Sequence, residues 1–210
     1  SLDKMRNISG TKLSIVFQDP MSTLNPVLSI GRQMIDIQYR DKISKKIKKQ
    51  RSIDMLTKVG MPDPQSQLNQ YPHELSGGMQ QRVSIAMALQ AGPSLLIADE
   101  PTTALDATLE VQILKLLKEL QEEIGCSILF VSHHLGVIAE LCDHVIVMYA
   151  GEIVEQGSTY EIFNNPAHPY TVKLLECDPA SILKKQRLLP TIPGEIPDLI
   201  NLSGGCIFKN

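Results

Sequence analysis

The sequence predicts an open α/β sheet, with short parallel strands joined by helices and a ligand site along the carboxyl edge of the strands. Three observations carry that prediction. Apolar runs of strand length alternate with longer segments of helical period. Leu95-Leu96-Ile97-Ala98 is a continuous apolar run of the kind found in parallel strands covered on both faces. The strand-like runs end on polar residues, Gln18, Asp99-Glu100 and Ser132-His133-His134, so the chemistry collects on one edge.

Bulk properties narrow the class. With 210 residues the chain has room for one good core and a smaller lobe. A hydrophobic content of 43% and a net charge of -3 give no global signal for nucleic acid or an anionic membrane. No apolar stretch is long enough to span a bilayer. The first residues, Ser1-Leu2-Asp3-Lys4-Met5-Arg6, carry no apolar signal region, which makes the cytosol the default expectation. Cys126, Cys142, Cys177 and Cys206 are widely spaced, without a paired C-x-x-C, and read as reduced thiols.

The elements follow in order. Residues 11–17 alternate and carry enough β-branching for a strand, ending on Gln18-Asp19-Pro20. Pro20 argues against a helix directly after it, so 21–26 is expected to be a loop. Ile30 to Tyr39 reads as helix. Between Arg40 and Arg51 stand seven basic residues and one acid, Asp41. Ile43, Ile47 and Ile53 sit among those charges at near-helical spacing and no aromatics interleave, so this is a solvated helix face, not a nucleic-acid patch. Helix continues from Asp54 to Val59 and Gly60 caps it. Pro62, Pro64 and Pro72 mark a connecting loop, and residues 20–74 form a helical insertion between two strands.

A Ser-Gly-Gly turn then opens a helix from Met79 to Gln90. Leu95 to Ala98 is a strand, and Pro101 to Asp106 a loop. Leu109, Ile113, Leu116, Leu117, Leu120 and Ile124 repeat at helical spacing until Gly125 stops them. Ser127 to Val131 is expected to be another buried strand, Leu135 to Leu141 a short helix and His144 to Tyr149 a strand. Ala150-Gly151 turns into Glu152–Glu155, a hairpin. From Gly157 the chain is rich in proline and reads as an irregular appendage with one helical run, Tyr170 to Glu176.

Two stretches carry the chemistry. Leu75-Ser76-Gly77-Gly78-Met79-Gln80 places backbone N–H groups at a helix start, which suits phosphate. Asp99-Glu100, a carboxylate pair at a strand end, suits Mg²⁺ and an activated water. Together they propose nucleotide hydrolysis. Taken singly, each residue has an ordinary explanation: Asp99 a turn cap, Glu100 a solvated acid, His133 a loop histidine. Their order and spacing argue otherwise.

A strand-end Gln18, the Leu-Ser-Gly-Gly-x-Gln hexapeptide, four apolar residues running into Asp99-Glu100, Ala104-Leu105-Asp106 and a strand-end His133 resemble the ATP-binding subunits of ABC transporters, along essentially all 210 residues. The resemblance implies a P-loop NTPase-like (RecA-like) α/β core, incomplete, with an inserted ABC helical subdomain and an irregular C-terminal extension. The implied segments are 1–19 (partial nucleotide-binding core), 20–92 (helical subdomain with the signature), 93–157 (the rest of the core) and 158–210 (a peptide-importer-type extension). Gln18 is then the Q-loop glutamine, with a catalytic part and a hold on Mg²⁺. Asp99 closes the Walker B strand and supports Mg²⁺, largely through waters. Glu100 is the general base, Asp106 the D-loop aspartate in contact with the nucleotide, and His133 the switch histidine. Ser76, Gly77, Gly78 and Gln80 reach the ATP of an opposite subunit. The implied partners are a second ABC ATPase subunit and membrane-spanning permease subunits met through the Q-loop and helical subdomain. No nucleic acid is implied. The implied place is the cytoplasmic face of the cell membrane, held peripherally.

Finer detail points to one branch. Phe17 to Pro26 resembles the Q-loop of oligopeptide, dipeptide and nickel importer ATPases, and Asn165-Pro166-Ala167-His168-Pro169-Tyr170-Thr171 resembles their C-terminal extension. Ile192-Pro193-Gly194 through Gly205-Cys206 resembles the stretch where many members begin an iron–sulfur cysteine cluster. Only Cys206 is present and a cluster needs four ligands, so none is expected. Two departures stand out. His134 occupies a position where this family usually has an acid. No G-x-x-x-x-G-K-[ST] occurs among the 210 residues, although the family carries it upstream of the Q-loop strand. The expectation is therefore a chain truncated at both ends, with little ATPase activity of its own. The alternatives are an ABC ATPase outside transport, or an inert remnant that supplies only its signature in trans.

Overall fold

The chain opens with helix α1 (Leu2–Ile8) and strand β1 (Leu13–Val16). The computed structural model describes residues 2–103, 105–178, 190–192 and 205–208. Ala104 of the predicted D-loop and residues 193–204 of the cysteine-bearing segment lie outside the described residues. Two units fall out of the contacts, Ser1–Val131 and Ser132–Asn210. The boundary lies inside the predicted segment 93–157.

In the first unit β1 is followed by α2 (Pro20–Thr23), α3 (Ile30–Asp36), α4 (Lys45–Lys58) and α5 (Pro64–Gln67). A 3₁₀ turn at Pro72–Glu74 leads to α6 (Gly77–Leu89), β2 (Leu95–Asp99), α7 (Ala107–Ile124) and β3 (Ser127–Val131). The three strands form one parallel sheet in the order β1-β2-β3. Parallel neighbours need a crossover between them. Residues 20–92 supply the first crossover as a helical lobe, and α7 supplies the second.

Several expectations for the lobe need correction. Residues 20–23 are helical, with Pro20 as the first helical residue, because the fixed φ of proline suits that position and its missing N–H costs nothing there. The hydroxyls of Ser22 and Thr23 donate to the Asp19 carbonyl at 2.8 and 2.9 Å. The proline-marked loop likewise holds α5, again with proline at its start and Asp63 as cap. Helix α3 also stops at Asp36, short of the expected Tyr39, and α4 begins only at Lys45, so residues 40–44 of the basic run are not helical. Ser29 and Ser44 cap α3 and α4, and Ile30, Met34, Leu56 and Val59 are wholly buried. Lys45, Lys46 and Lys49 face solvent on α4.

The sheet departs from expectation. Its inner face, Val16, Leu96 and Ala98 with Ile128 and Phe130, joins Val83 of α6 and Ile113 and Leu117 of α7 in the core. Its other face is bare among the described residues: Ile15 is 41% exposed, Leu129 47% and Val131 44%. The apolar run over Leu95–Ala98 predicted cover on both faces, and Ser127–Val131 was expected to be buried. Period-two alternation instead sends every second side chain of β3 to an uncovered surface.

The second unit holds α8 (Leu135–Leu141), β4 (His144–Tyr149), β5 (Glu152–Ser158), α9 (Thr159–Asn164) and α10 (Pro169–Glu176). Strands β4 and β5 pair antiparallel through Ala150 and Gly151, both at positive φ, the backbone a tight hairpin demands. The appendage is more regular than expected. Ser158 and Glu161 form a reciprocal capping box for α9, a Ser-x-x-Glu signature present in the sequence. His168 caps α10, its Nδ1 accepting from the Tyr170 N–H at 3.1 Å, and Glu155 accepts from the N–H groups of Ala167 and His168. All four cysteines are free. No helix among the described residues is long and apolar enough to cross a membrane.

Candidate functional site

The carboxyl ends of β1 and β2 bring the first pair together. Val16 lies beside Ala98 in the parallel register, so two residues onward Gln18 comes level with Glu100. Gln18 Nε2 donates to Glu100 Oε2 at 2.8 Å, across 82 positions of sequence. The Thr103 hydroxyl donates to the same oxygen at 2.9 Å. Two donors on one oxygen set the orientation of the carboxylate. The backbone sharpens it further, because Glu100 has φ 43 and its N–H donates to the Val131 carbonyl at 2.9 Å. That bond ties the start of the Glu100 loop to the end of β3. Asp99, the last residue of β2, is exposed at the same edge. Asp99 ends β2, Gln18 lies two residues past the end of the neighbouring β1, and both are exposed and offer hard oxygens of the kind Mg²⁺ takes.

The Ser-Gly-Gly turn is the N-terminus of α6. Ser76 is the cap, its hydroxyl accepting from the Met79 N–H at 3.4 Å. Gly77 and Gly78 form the first helical positions, so their N–H groups have no partner within the helix. The two glycines differ in surroundings. Nothing lies within 4 Å of where a Gly77 side chain would start, which leaves that side open to a ligand. At Gly78 an added Cβ would meet Leu109 Cδ1 at 3.0 Å and Cδ2 at 3.3 Å. Gln80, expected among the nucleotide contacts, points inward and is 4% exposed. Its amide donates to the carbonyls of Pro72 at 2.7 Å and Leu75 at 3.2 Å. Gln80 braces the turn from behind and does not reach the surface of the site.

The first turn of α7 gathers the remaining threads. Asp106 caps it, accepting from the N–H groups of Thr108 and Leu109, each at 3.0 Å. The Thr102 hydroxyl donates to Glu110 Oε1 at 2.8 Å, so the loop after Glu100 is fastened to the same turn. Further along, Arg82 of α6 donates to the Val59 carbonyl at the end of α4 and to Gln112 Oε1 of α7. His133 and His134 belong to the second unit, where His133 is exposed and His134 directly precedes α8.

Sequence reasoning missed Thr103, the Thr102–Glu110 pair and the role of Leu109. A hydroxyl three residues after the Glu100 carboxylate is a readable hint for Thr103. The other two depend on a fold in which the loop after β2 returns onto α7, and no local pattern announces them.

Comparison with known proteins places these features. A family described as ABC transporter matches residues 1–103, and one described as oligopeptide/dipeptide transporter, C-terminal region, matches residues 154–210. The oligopeptide transport ATP-binding protein OppD of Bacillus subtilis is 50% identical over 206 residues, covering 98% of this chain and 58% of that protein. The dipeptide transport ATP-binding protein DppD of Escherichia coli is 46% identical over 205 residues, covering 97% of this chain and 62% of that protein. The chain therefore spans about three fifths of the length of the curated relatives it matches. Among solved structures, an ATP-binding cassette dimer in a post-hydrolysis state with ADP and Pi is similar at TM-score 0.65 and 31% identity, covering 76% of this chain and 68% of that one. The cbiO1 protein of Clostridium perfringens is similar at TM-score 0.67 and 32% identity, covering 78% of this chain and 62% of that one.

Proposed function

This chain belongs to the ATP-binding family of ABC transporters, with a P-loop NTPase fold, and from that premise we propose that it is an ATP-hydrolysing subunit powering the import of peptides, or of nickel. The observation that carries the reading is the Gln18–Glu100–Thr103 cluster at the carboxyl edge of a parallel sheet. Glu100 polarises the attacking water and takes its proton, while Gln18 and Thr103 hold the carboxylate in one orientation. Asp99 and Gln18 would hold Mg²⁺, which when bound would neutralise charge on the phosphates. His133 positions and stabilises the γ-phosphate charge. Ser76 and the N–H groups of Gly77 and Gly78 reach the nucleotide of a second subunit, so the working unit is a dimer. Asp106 lies at the same dimer junction. Permease subunits dock on the Q-loop and helical lobe, which places the subunit on the cytoplasmic face of the membrane.

The test is ATP turnover and labelled-peptide uptake by the native complex that carries this chain. Glu100→Gln is expected to lower turnover by roughly 10²-fold or more. An unchanged rate sinks the assignment of Glu100.

A further inference from the structure

We propose that Leu109 is a positioning residue for the Ser76-Gly77-Gly78 turn, and that Gly78 must be glycine because Leu109 fills the space where its side chain would stand. This rests on the reading of that turn as a nucleotide contact only for its consequence in catalysis. The packing claim stands by itself. Gly78 is buried, and all three nearest neighbours of its missing Cβ belong to Leu109, at 3.0, 3.3 and 3.6 Å. Gly77, one residue earlier in the same turn, has open space in the same place. The two glycines are therefore required for different reasons. Gly77 leaves room for a ligand, and Gly78 leaves room for Leu109.

Leu109 is itself anchored. Its N–H is held by the Asp106 carboxylate at 3.0 Å, and the next residue, Glu110, accepts from Thr102 at 2.8 Å. Thr102 lies two residues past Glu100 on the same loop, and Thr103 beside it holds the Glu100 carboxylate. A continuous chain of contacts thus runs from Glu100 through the first turn of α7 to Gly78 and Ser76. Every link is a direct hydrogen bond or an adjacent peptide, except at Gly78, where the Leu109 side chain occupies the place a Cβ would take. A shift of the Glu100 loop pulls Leu109 and, with it, the turn that faces the other subunit's nucleotide. Leu109 touches no reacting atom and acts through Gly78.

The test is a double-mutant cycle in the native complex or full chain, read first by thermal unfolding. Replacing a glycine by alanine at a helical position with room for it stabilises, here by roughly 1–4 °C. Gly77→Ala is expected to show that rise. Gly78→Ala is expected to lower Tm in the wild-type background and to raise it in a Leu109→Ala background. Equal effects of Gly78→Ala in both backgrounds, or a rise in the wild type, overturn the packing claim. Turnover is read second. Leu109→Ala is expected to lower kcat by roughly tenfold with KM for ATP within about twofold, and Leu109→Met to restore most of it, since Met fills a similar volume. An unchanged kcat, or a loss carried by KM, overturns the positioning role. If the wild-type complex turns over no ATP, the ATPase reading fails while the thermal cycle still decides the contact.

Discussion

The helical lobe and the parallel sheet share one unit and one core, yet they are finished to different degrees. In the lobe, the core side chains are covered from every side, although Val27, Tyr39 and Ile47 stand exposed on its surface. Ile30, Met34, Leu56 and Val59 are wholly buried, and the Gln38 amide N–H groups donate to the carbonyls of Met34 and Lys48, while its Oε1 is buried without a hydrogen-bond partner. The sheet buries one face and leaves Ile15, Leu129 and Val131 more than two fifths exposed on the other. The difference teaches where stability resides among the residues described. Cohesion comes from the lobe and from the inner face of the sheet, while the outer face contributes little burial.

Three measurements break or sharpen that contrast. The largest effect is expected in the lobe core, where Leu56→Ala removes a wholly buried side chain and costs about 3 kcal/mol by denaturant unfolding. Leu129→Ala, on the bare face, is expected to cost under about 1 kcal/mol in the same 210-residue chain. Similar costs at the two sites would erase the contrast. A middle effect lies at the sheet edge, where Asp106→Ala removes the cap of α7 and is expected to lower stability by about 1 kcal/mol, with Asp106→Asn recovering most of it. Full stability after Asp106→Ala would show that the cap is supplied elsewhere. The smallest change in stability belongs to the paired variant Leu129→Ser, Val131→Thr. It is expected to leave the unfolding midpoint nearly unmoved while reducing the binding of an apolar fluorescent dye. Unchanged dye binding would mean that this face is not where the chain is exposed.

Much of this was legible beforehand, and for physical reasons. Helix α7 announced itself by six apolar residues at helical spacing and by Gly125, which adopts φ 70 where the helix stops. Strands β1, β2 and β3 were readable because each is a short β-branched or apolar run ending on polar residues. The short helices α1, α2, α5 and α9 were not foreseen. At α2 and α5 proline was read as a breaker, when it stood at the first helical position and favoured a helix. At α9 the Ser158–Glu161 capping box was overlooked beneath the proline-rich composition. In the site, Gln18 and Glu100 could be named separately, but their contact follows from the register of β1 on β2. Gln80 shows the reverse case. Its place in the hexapeptide suggested a ligand contact, while its amide in fact closes the turn from inside.

The left-handed backbone at Glu100 bears on how function and stability trade against each other. A side chain other than glycine at φ 43 holds the chain in a conformation that costs on the order of 1 kcal/mol. A glycine there would release that strain and remove the carboxylate in one step. On the proposed role of Glu100, the residue best for folding and the residue best for chemistry differ at this position. Glu100→Gln keeps the strained backbone and deletes only the charge, whereas Glu100→Gly conflates the two. Selection for thermal stability alone would push this position away from glutamate.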